Sequence, residues 1–144
     1  MMILRRGLLV WLLLMAVESL HGIARRILLE PYFGDFRAHQ IAVFTGSVLI
    51  LAIASLCVRW IGATTKGQLL GVGGLWLVLT VAFEIGLGRL MGLSWERIGS
   101  DYDLLHGGLM LIGLLVLTLS PLLVQSRRPE QMRGALRTHP AGGL

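Results

Sequence analysis

Two segments of the chain repeat one another, and this repeat limits its fold more than any other feature. The segments match at a shift of 66 positions, and at 67 after one inserted residue. Each copy has an apolar run, a Glu, a Gly four residues later, a charged connection and a second apolar run near a His. Such a repeat indicates one structural unit that has been doubled. The matched pairs are Glu18 and Glu84, Gly22 and Gly88, Glu30 and Glu96, Asp35 and Asp101, Phe36 and Tyr102, His39 and His106, and Gly46 and Gly113.

The composition predicts an integral membrane protein. Hydrophobic residues make up 55% of the 144 residues, charged residues only 15%, and the mean hydropathy is +0.76. These values are too apolar for a water-soluble domain of this size. The net charge is +5, and the cationic residues lie at the ends of the apolar runs. We therefore expect contact with a lipid bilayer and not with nucleic acid.

The apolar runs predict an all-α integral membrane fold. Residues 1–125 form one four-helix transmembrane domain, and residues 126–144 form a disordered, basic cytoplasmic tail rich in Pro and Gly. The repeat makes this domain a bundle of two tandem two-helix hairpins, related by a pseudo-twofold axis along the membrane normal. The predicted spans are about 7–29, 38–60, 69–91 and 104–124.

A basic start followed by an apolar run is also the layout of a cleaved signal peptide. The repeat favours a retained first helix, because cleavage would remove the counterparts of Glu84 and Gly88.

Four spans place both termini on one side of the membrane, and the cations indicate which side. Eight of them lie on the side of the termini and five on the other, which predicts cytoplasmic termini. The first group is Arg5, Arg6, Arg59, Lys66, Arg127, Arg128, Arg133 and Arg137. The second group is Arg25, Arg26, Arg37, Arg89 and Arg97.

Glu18 and Glu84 are the main candidate site residues, since an ionisable group within a span is costly and faces protein or water. One hypothesis makes them a pair of proton-exchanging or cation-binding carboxylates at the pseudo-axis. The other is structural: Glu18 pairs with His21 or Arg25, which share its helix face. Glu84 would then pair with Arg89 across helices, because a spacing of five residues places the two on different faces.

The repeated glycines and histidines have a structural and a functional interpretation as well. Gly22, Gly88, Gly46 and Gly113 are predicted to allow close helix packing. His21, His39 and His106 lie at one membrane face and could ligate a metal or haem. No His or Cys motif with metal-ligand spacing is present, so no metal or cofactor is predicted and a structural role is the default.

The two charged connections contain Asp35 and Asp101 beside several aromatic residues, the pattern of an interfacial cap. Asp35 and His39 are four residues apart, a spacing that allows the two side chains to pair at a helix start. Ser100 and Asp103 predict a capping box at the start of the fourth helix. No motif for a nucleophilic serine, a phosphate loop or a zinc protease occurs, so the sequence gives no positive evidence of enzymatic activity.

The run Phe83–Arg89, followed by residues 94–98 and 101–103, resembles a group of small bacterial four-span membrane proteins with no known activity. The resemblance covers most of both hairpins. It implies a multi-pass protein of the bacterial inner membrane and no catalytic chemistry.

Three functions remain open at this point. The first is a structural or accessory membrane subunit that is held together by an internal Glu, Arg and His cluster. The second is a small proton- or cation-coupled transporter or channel that uses Glu18 and Glu84. The third is a metal- or haem-binding protein. A homo-oligomer and a larger membrane complex are both open as assemblies.

Overall fold

The computed structural model describes residues 1–126. These residues form helices joined by short connections, without a β-strand among them, so the all-helical prediction is confirmed. The predicted tail lies outside the described residues except for Ser126, which ends the last helix. The helices are α1 (Met2–Ala24), a π-helix (Arg25–Leu29), α2 (Glu30–Ile61), α3 (Lys66–Leu90), α4 (Trp95–Ser100), a 3-10 turn (Leu104–His106) and α5 (Met110–Ser126).

Two helical stretches, Met2–Ile61 and Lys66–Leu90, are long and apolar enough to cross a membrane. The first contains a break at Gly34, whose φ of 75° and ψ of 162° are non-helical. This conformation is readily available only to glycine. The apolar helix α5 is shorter, at 17 residues.

Helices α1 and α2 form an antiparallel hairpin. Near the N-terminus, the Arg6 guanidinium donates a 2.8 Å hydrogen bond to the Trp60 carbonyl and lies 5.3 Å from the centre of its ring. Near the other end of α1, His21 Nε2 lies 2.8 Å from Thr45 Oγ1. The partner's residue number therefore falls as the number along α1 rises, as antiparallel packing requires.

Helices α1 and α3 pack in parallel through two buried tryptophans. The Trp11 indole donates to the Thr80 hydroxyl at 3.0 Å, and the Trp76 indole donates to the Gly7 carbonyl at 2.8 Å. Both bonds join residues that are 69 positions apart, so the two helices run in the same direction. Trp76 is fully buried, and both indoles have found the polar partner that a buried N–H requires.

Helix α5 packs against α2 and α3. At Gly73 the backbone of α3 meets the Thr118 carbonyl so closely that a Cβ atom would overlap it. Pro121 interrupts the backbone hydrogen bonds of α5 because it has no N–H to offer the Leu117 carbonyl. The buried Ser120 hydroxyl donates to that carbonyl at 2.9 Å and so satisfies it.

The fourth long helix begins later than the sequence pattern predicts, at Met110, and the predicted capping box does not form. The Ser100 hydroxyl instead donates to the Arg97 carbonyl, and the Asp103 carboxylate caps the 3-10 turn by accepting from the Leu105 amide. Gly107 has a left-handed φ of 92°, which ends that turn. A continuous helix from Asp103 is therefore not formed.

Candidate functional site

The residues predicted to form a polar site come together mainly between α1 and α2. Glu18, His21 and Arg25 follow one another at spacings of three and four residues, so they share one face of the first helix. This face meets α2 at Asp35, His39, Thr45 and Gly46. We call these seven residues the polar seam.

The inner part of the polar seam is centred on His21. Its Nδ1 lies 3.6 Å from Glu18 Oε2, and its Nε2 lies 2.8 Å from the Thr45 hydroxyl. The Thr45 hydroxyl in turn donates to the Ile41 carbonyl at 2.9 Å. The imidazole therefore links a carboxylate on α1 to a hydroxyl on α2.

Gly46 is buried and provides the space for this pair. A Cβ atom at Gly46 would lie 2.9 Å from Glu18 Oε2 and 3.4 Å from His21 Cε1. Any larger residue would push the carboxylate away from the hairpin. The matched glycine in the second copy, Gly113, has open space at the same position.

The outer part of the polar seam is centred on Arg25, whose side chain is only 15% exposed. Its Nη1 lies 3.5 Å from Asp35 Oδ1 and 3.4 Å from His39 Nδ1. The pairing of Asp35 with His39 that the sequence allowed is thus replaced by a shared contact with Arg25. Asp35 follows directly after Gly34, the residue at which the helix breaks.

One oxygen of the polar seam has no partner. Glu18 Oε1 is buried and accepts no hydrogen bond among the described residues, although its side chain as a whole is 25% exposed. A buried polar atom without a partner is costly and is frequently a sign of a site that binds something. Within the polar seam, Glu18 is therefore the group best placed to hold a proton or a cation.

The second copy of the repeat has no equivalent of the polar seam. The same shift that pairs Glu18 with Glu84 places Leu87 opposite His21 and Met91 opposite Arg25, and the later shift places Ile112 opposite Thr45. These side chains are apolar and cannot bridge the hairpin by hydrogen bonds. The two copies have matching acids but different surroundings.

Glu84 lies on the exposed surface of α3. The ion pairs of the described residues do not include the predicted pair of Glu84 with Arg89. Arg89 Nη1 donates to the Leu93 carbonyl at 2.9 Å, and its guanidinium lies 5.0 Å from the centre of the Trp95 ring. The spacing of five residues turns Arg89 away from Glu84. Its guanidinium contacts Leu93 and Trp95 instead. No contact joins Glu84 to Glu18 in the described part of the chain.

Tyr102 lies beside Glu84 and Asp101 in the connection before α5. Burial raises the pKa of Tyr102, and the negative charges of Glu84 and Asp101 raise it further. The Tyr102 hydroxyl is buried without a hydrogen-bond partner in the described residues. Asp101 itself accepts from Arg97 at 2.9 Å, so this acid of the predicted site belongs to a surface ion pair.

His106 lies on the surface, with 81% of its side chain exposed. Its Nδ1 is 2.6 Å from Asp103 Oδ2, and this hydrogen bond is the main reason that the pKa of Asp103 lies below its ordinary value of 3.8. The contact is present above the pKa of Asp103 and is lost as the pH falls through it.

We expect His106→Ala to raise the pKa of Asp103 toward 3.8, because the hydrogen bond that stabilises the carboxylate is removed. Carbon-13 NMR of the labelled carboxyl group would measure the midpoint. His39→Ala is the control, since His39 contacts Arg25 and not Asp103. An unchanged midpoint in His106→Ala would show that the pair is absent in solution.

The four glycines that were predicted to pack differ in their surroundings. Gly88 is buried, and a Cβ atom there would lie 3.1 Å from the Ile98 side chain of α4. Gly46 lies against the polar seam, as described above. Gly22 and Gly113 have open space where a Cβ atom would be, so no close contact of the chain with itself depends on them.

His21, His39 and His106 are the histidines that the sequence offered as metal or haem ligands. Among residues 1–126, no group of three or more His, Cys, Asp or Glu side chains is placed to hold a metal ion. His21 and His39 belong to the polar seam, and His106 lies in the connection before α5. The described residues therefore do not place these histidines in a metal site with three protein ligands.

Sequence reasoning did not identify Thr45 or Gly73 as contact residues. Thr45 was visible as a hydroxyl one position before the repeated Gly46, but its partner depended on how the hairpin closed. The capping box of α3, Thr65 with Gln68, was also readable from its spacing and is present.

Comparisons of this chain with protein-family models, with curated proteins and with solved structures gave no match.

Proposed function

We propose that this protein is a structural or accessory subunit of the bacterial inner membrane, with no evident enzymatic activity. The polar seam is the feature that supports this proposal. Within it, His21 joins Glu18 to Thr45, and Arg25 joins Asp35 to His39. The contact of His21 joins α1 to α2, and the contacts of Arg25 join the π-helix to α2, so the polar groups serve mainly as partners for one another.

The proposal places four helices across the membrane as two tandem hairpins. Helices α1 and α3 have 23 and 25 residues, and the part of α2 after Gly34 is of similar length. At 1.5 Å per residue each is about 35 Å long or more, enough to cross a bilayer, and the 17 residues of α5 give about 26 Å. The many exposed apolar side chains favour contact with lipid. They include Leu9, Leu12, Phe44, Leu56, Val78 and Leu115.

The parallel packing of α1 and α3 is what a duplicated hairpin with an axis along the membrane normal requires. We place both termini in the cytoplasm on the basis of the cation counts. The stacking of Arg6 on Trp60 supports a membrane boundary at that end, where aromatic and basic residues are enriched.

A pair of carboxylate substitutions tests the structural role. We expect Glu18→Gln to lower the stability in detergent by about 1–2 kcal/mol, because the charge that faces His21 is lost. Glu84→Gln is the matched control and should change little, since Glu84 is exposed and forms no ion pair among the described residues. Thermal unfolding followed by circular dichroism would measure both.

A second candidate function is a small proton- or cation-coupled transporter, and the unpartnered Glu18 Oε1 favours it. On this hypothesis Glu18→Gln and Glu84→Gln would leave the melting temperature unchanged and abolish pH-dependent flux in liposomes. Loss of flux at unchanged stability would replace the structural proposal. A lower melting temperature for Glu18→Gln alone, with no flux in the unsubstituted protein, would support the structural proposal.

A further inference from the structure

A polar cleft lies where the first hairpin turns. It has a volume of about 660 Å³ and opens to the surface. We call it the arginine cleft, and it is lined by Arg25, Arg26, Glu30, Pro31, Asp35 and Arg97.

Three guanidinium groups and two carboxylates give the arginine cleft a formal charge of +1. Arg25 is shared between Asp35 and His39, and Arg97 contacts Asp101 and Ser100. The Arg26 side chain has no hydrogen bond or ion pair in the described part of the chain, although Glu30 lies one turn later. Because Asp101 balances the charge of Arg97, the attraction for an anion depends on Arg26, whose guanidinium donors are all available.

The shape of the arginine cleft follows from Pro31. Proline has no N–H to donate to the carbonyl four residues earlier, and its ring would clash with that carbonyl. The chain instead forms a π-helix over Arg25–Leu29, in which the Glu30 amide donates to the Arg25 carbonyl. Single π-helical turns of this kind are frequent at functional sites. The helix breaks at Gly34, directly before Asp35, which also lines the cleft.

The surroundings of the arginine cleft are those of a membrane boundary. The neighbouring side chains of Ile27, Leu28, Tyr32 and Phe33 are each at least half exposed. Aromatic and apolar groups next to cationic ones are typical of the level of the lipid headgroups. A ligand at this place would have a charged part in the cleft and an apolar part along the helices.

We propose that the arginine cleft binds the phosphodiester of an anionic phospholipid, with Arg26 and Arg97 as the main contacts. A guanidinium presents paired N–H donors that match two phosphate oxygens. A basic cleft at the membrane boundary offers these donors to a lipid phosphate. Glu30 can accept a hydrogen bond from a headgroup hydroxyl, which suits phosphatidylglycerol. This inference depends on the membrane placement proposed above, but not on the role of the polar seam.

The test uses the full chain in a neutral detergent, with the melting temperature measured as lipid is added. Dioleoyl phosphatidylglycerol should raise the melting temperature in a saturable way, whereas dioleoyl phosphatidylcholine should not. We expect Arg26→Ala to raise the half-saturating lipid concentration about fivefold, from the usual effect of one basic residue near anionic lipid. The half-saturating concentration for Arg26→Lys should lie between those of Arg26→Ala and the unsubstituted chain, because lysine keeps the charge and loses the paired donors.

Arg37→Ala is the matched control, since Arg37 is an exposed arginine near the same turn that does not line the cleft. Equal responses of Arg26→Ala and Arg37→Ala would overturn the proposal, because the effect would then be general attraction of charge. A full effect of sodium phosphate alone would overturn the assignment to lipid. Failure of the unsubstituted chain to insert into vesicles would instead count against the four-span proposal. The lipid titration is done in detergent, so its result does not depend on insertion into vesicles.

Discussion

Replacement of Gly73 by alanine should be strongly destabilising, by about 3 kcal/mol or more. The added methyl group would overlap the Thr118 carbonyl of α5, and a backbone atom cannot rotate away as a side chain can. Overpacking in a well-packed region costs about 1–3 kcal/mol even where side chains can yield. We therefore expect the contact between α3 and α5 to open, and thermal unfolding in detergent would measure the loss.

Gly74→Ala is the control for this prediction, because nothing lies within 4 Å of a Cβ atom at Gly74. It should be neutral or stabilising by up to about 1 kcal/mol, the usual preference of a helix for alanine over glycine. If Gly73→Ala were as stable as Gly74→Ala, α5 would not pack on α3 at Thr118.

Replacement of Trp76 by alanine is the second change with a large expected effect, about 3–5 kcal/mol. Trp76 is fully buried in the core between α1, α3 and α5, and its indole donates to the Gly7 carbonyl. The substitution leaves a cavity and removes one of the two hydrogen bonds that join α1 to α3. Trp76→Phe should recover most of the packing but not the hydrogen bond. Its stability should therefore lie between those of Trp76→Ala and the unsubstituted protein.

Trp95→Ala provides the comparison, since Trp95 is 63% exposed and its recorded contact is with Arg89. Its effect should be below about 1 kcal/mol, as is usual at the surface. Similar losses from Trp76→Ala and Trp95→Ala would mean that the indole of Trp76 is not buried between the helices.

The tryptophan contacts and the polar seam hold different parts of the chain together. Trp11 and Trp76 join the two copies of the repeat, whereas His21 and Arg25 close only the first hairpin. A substitution at Trp76 should therefore loosen the contact between the hairpins without affecting the bonds around His21. Nitrogen-15 NMR of the His21 ring in Trp76→Phe would detect whether its contact with Thr45 persists.

The helical class of this chain could be predicted from its sequence, because a helix satisfies the backbone groups of a long apolar run within the run itself. The contact of Glu18 with His21 could also be predicted, since a spacing of three residues places both on one helix face. The pairing of Glu84 with Arg89 had no such support, and in the structure Arg89 binds the Leu93 carbonyl instead.

The repeat predicted equal roles for matched residues, and here the tertiary structure decided differently. Glu18 lies against Gly46 inside the first hairpin, whereas Glu84 lies exposed on α3. The reason is physical: a buried acid needs polar neighbours, and His21 and Thr45 supply them in one copy only. The sequence determined where acids stand along each helix, and the packing of the helices determined which acid has partners.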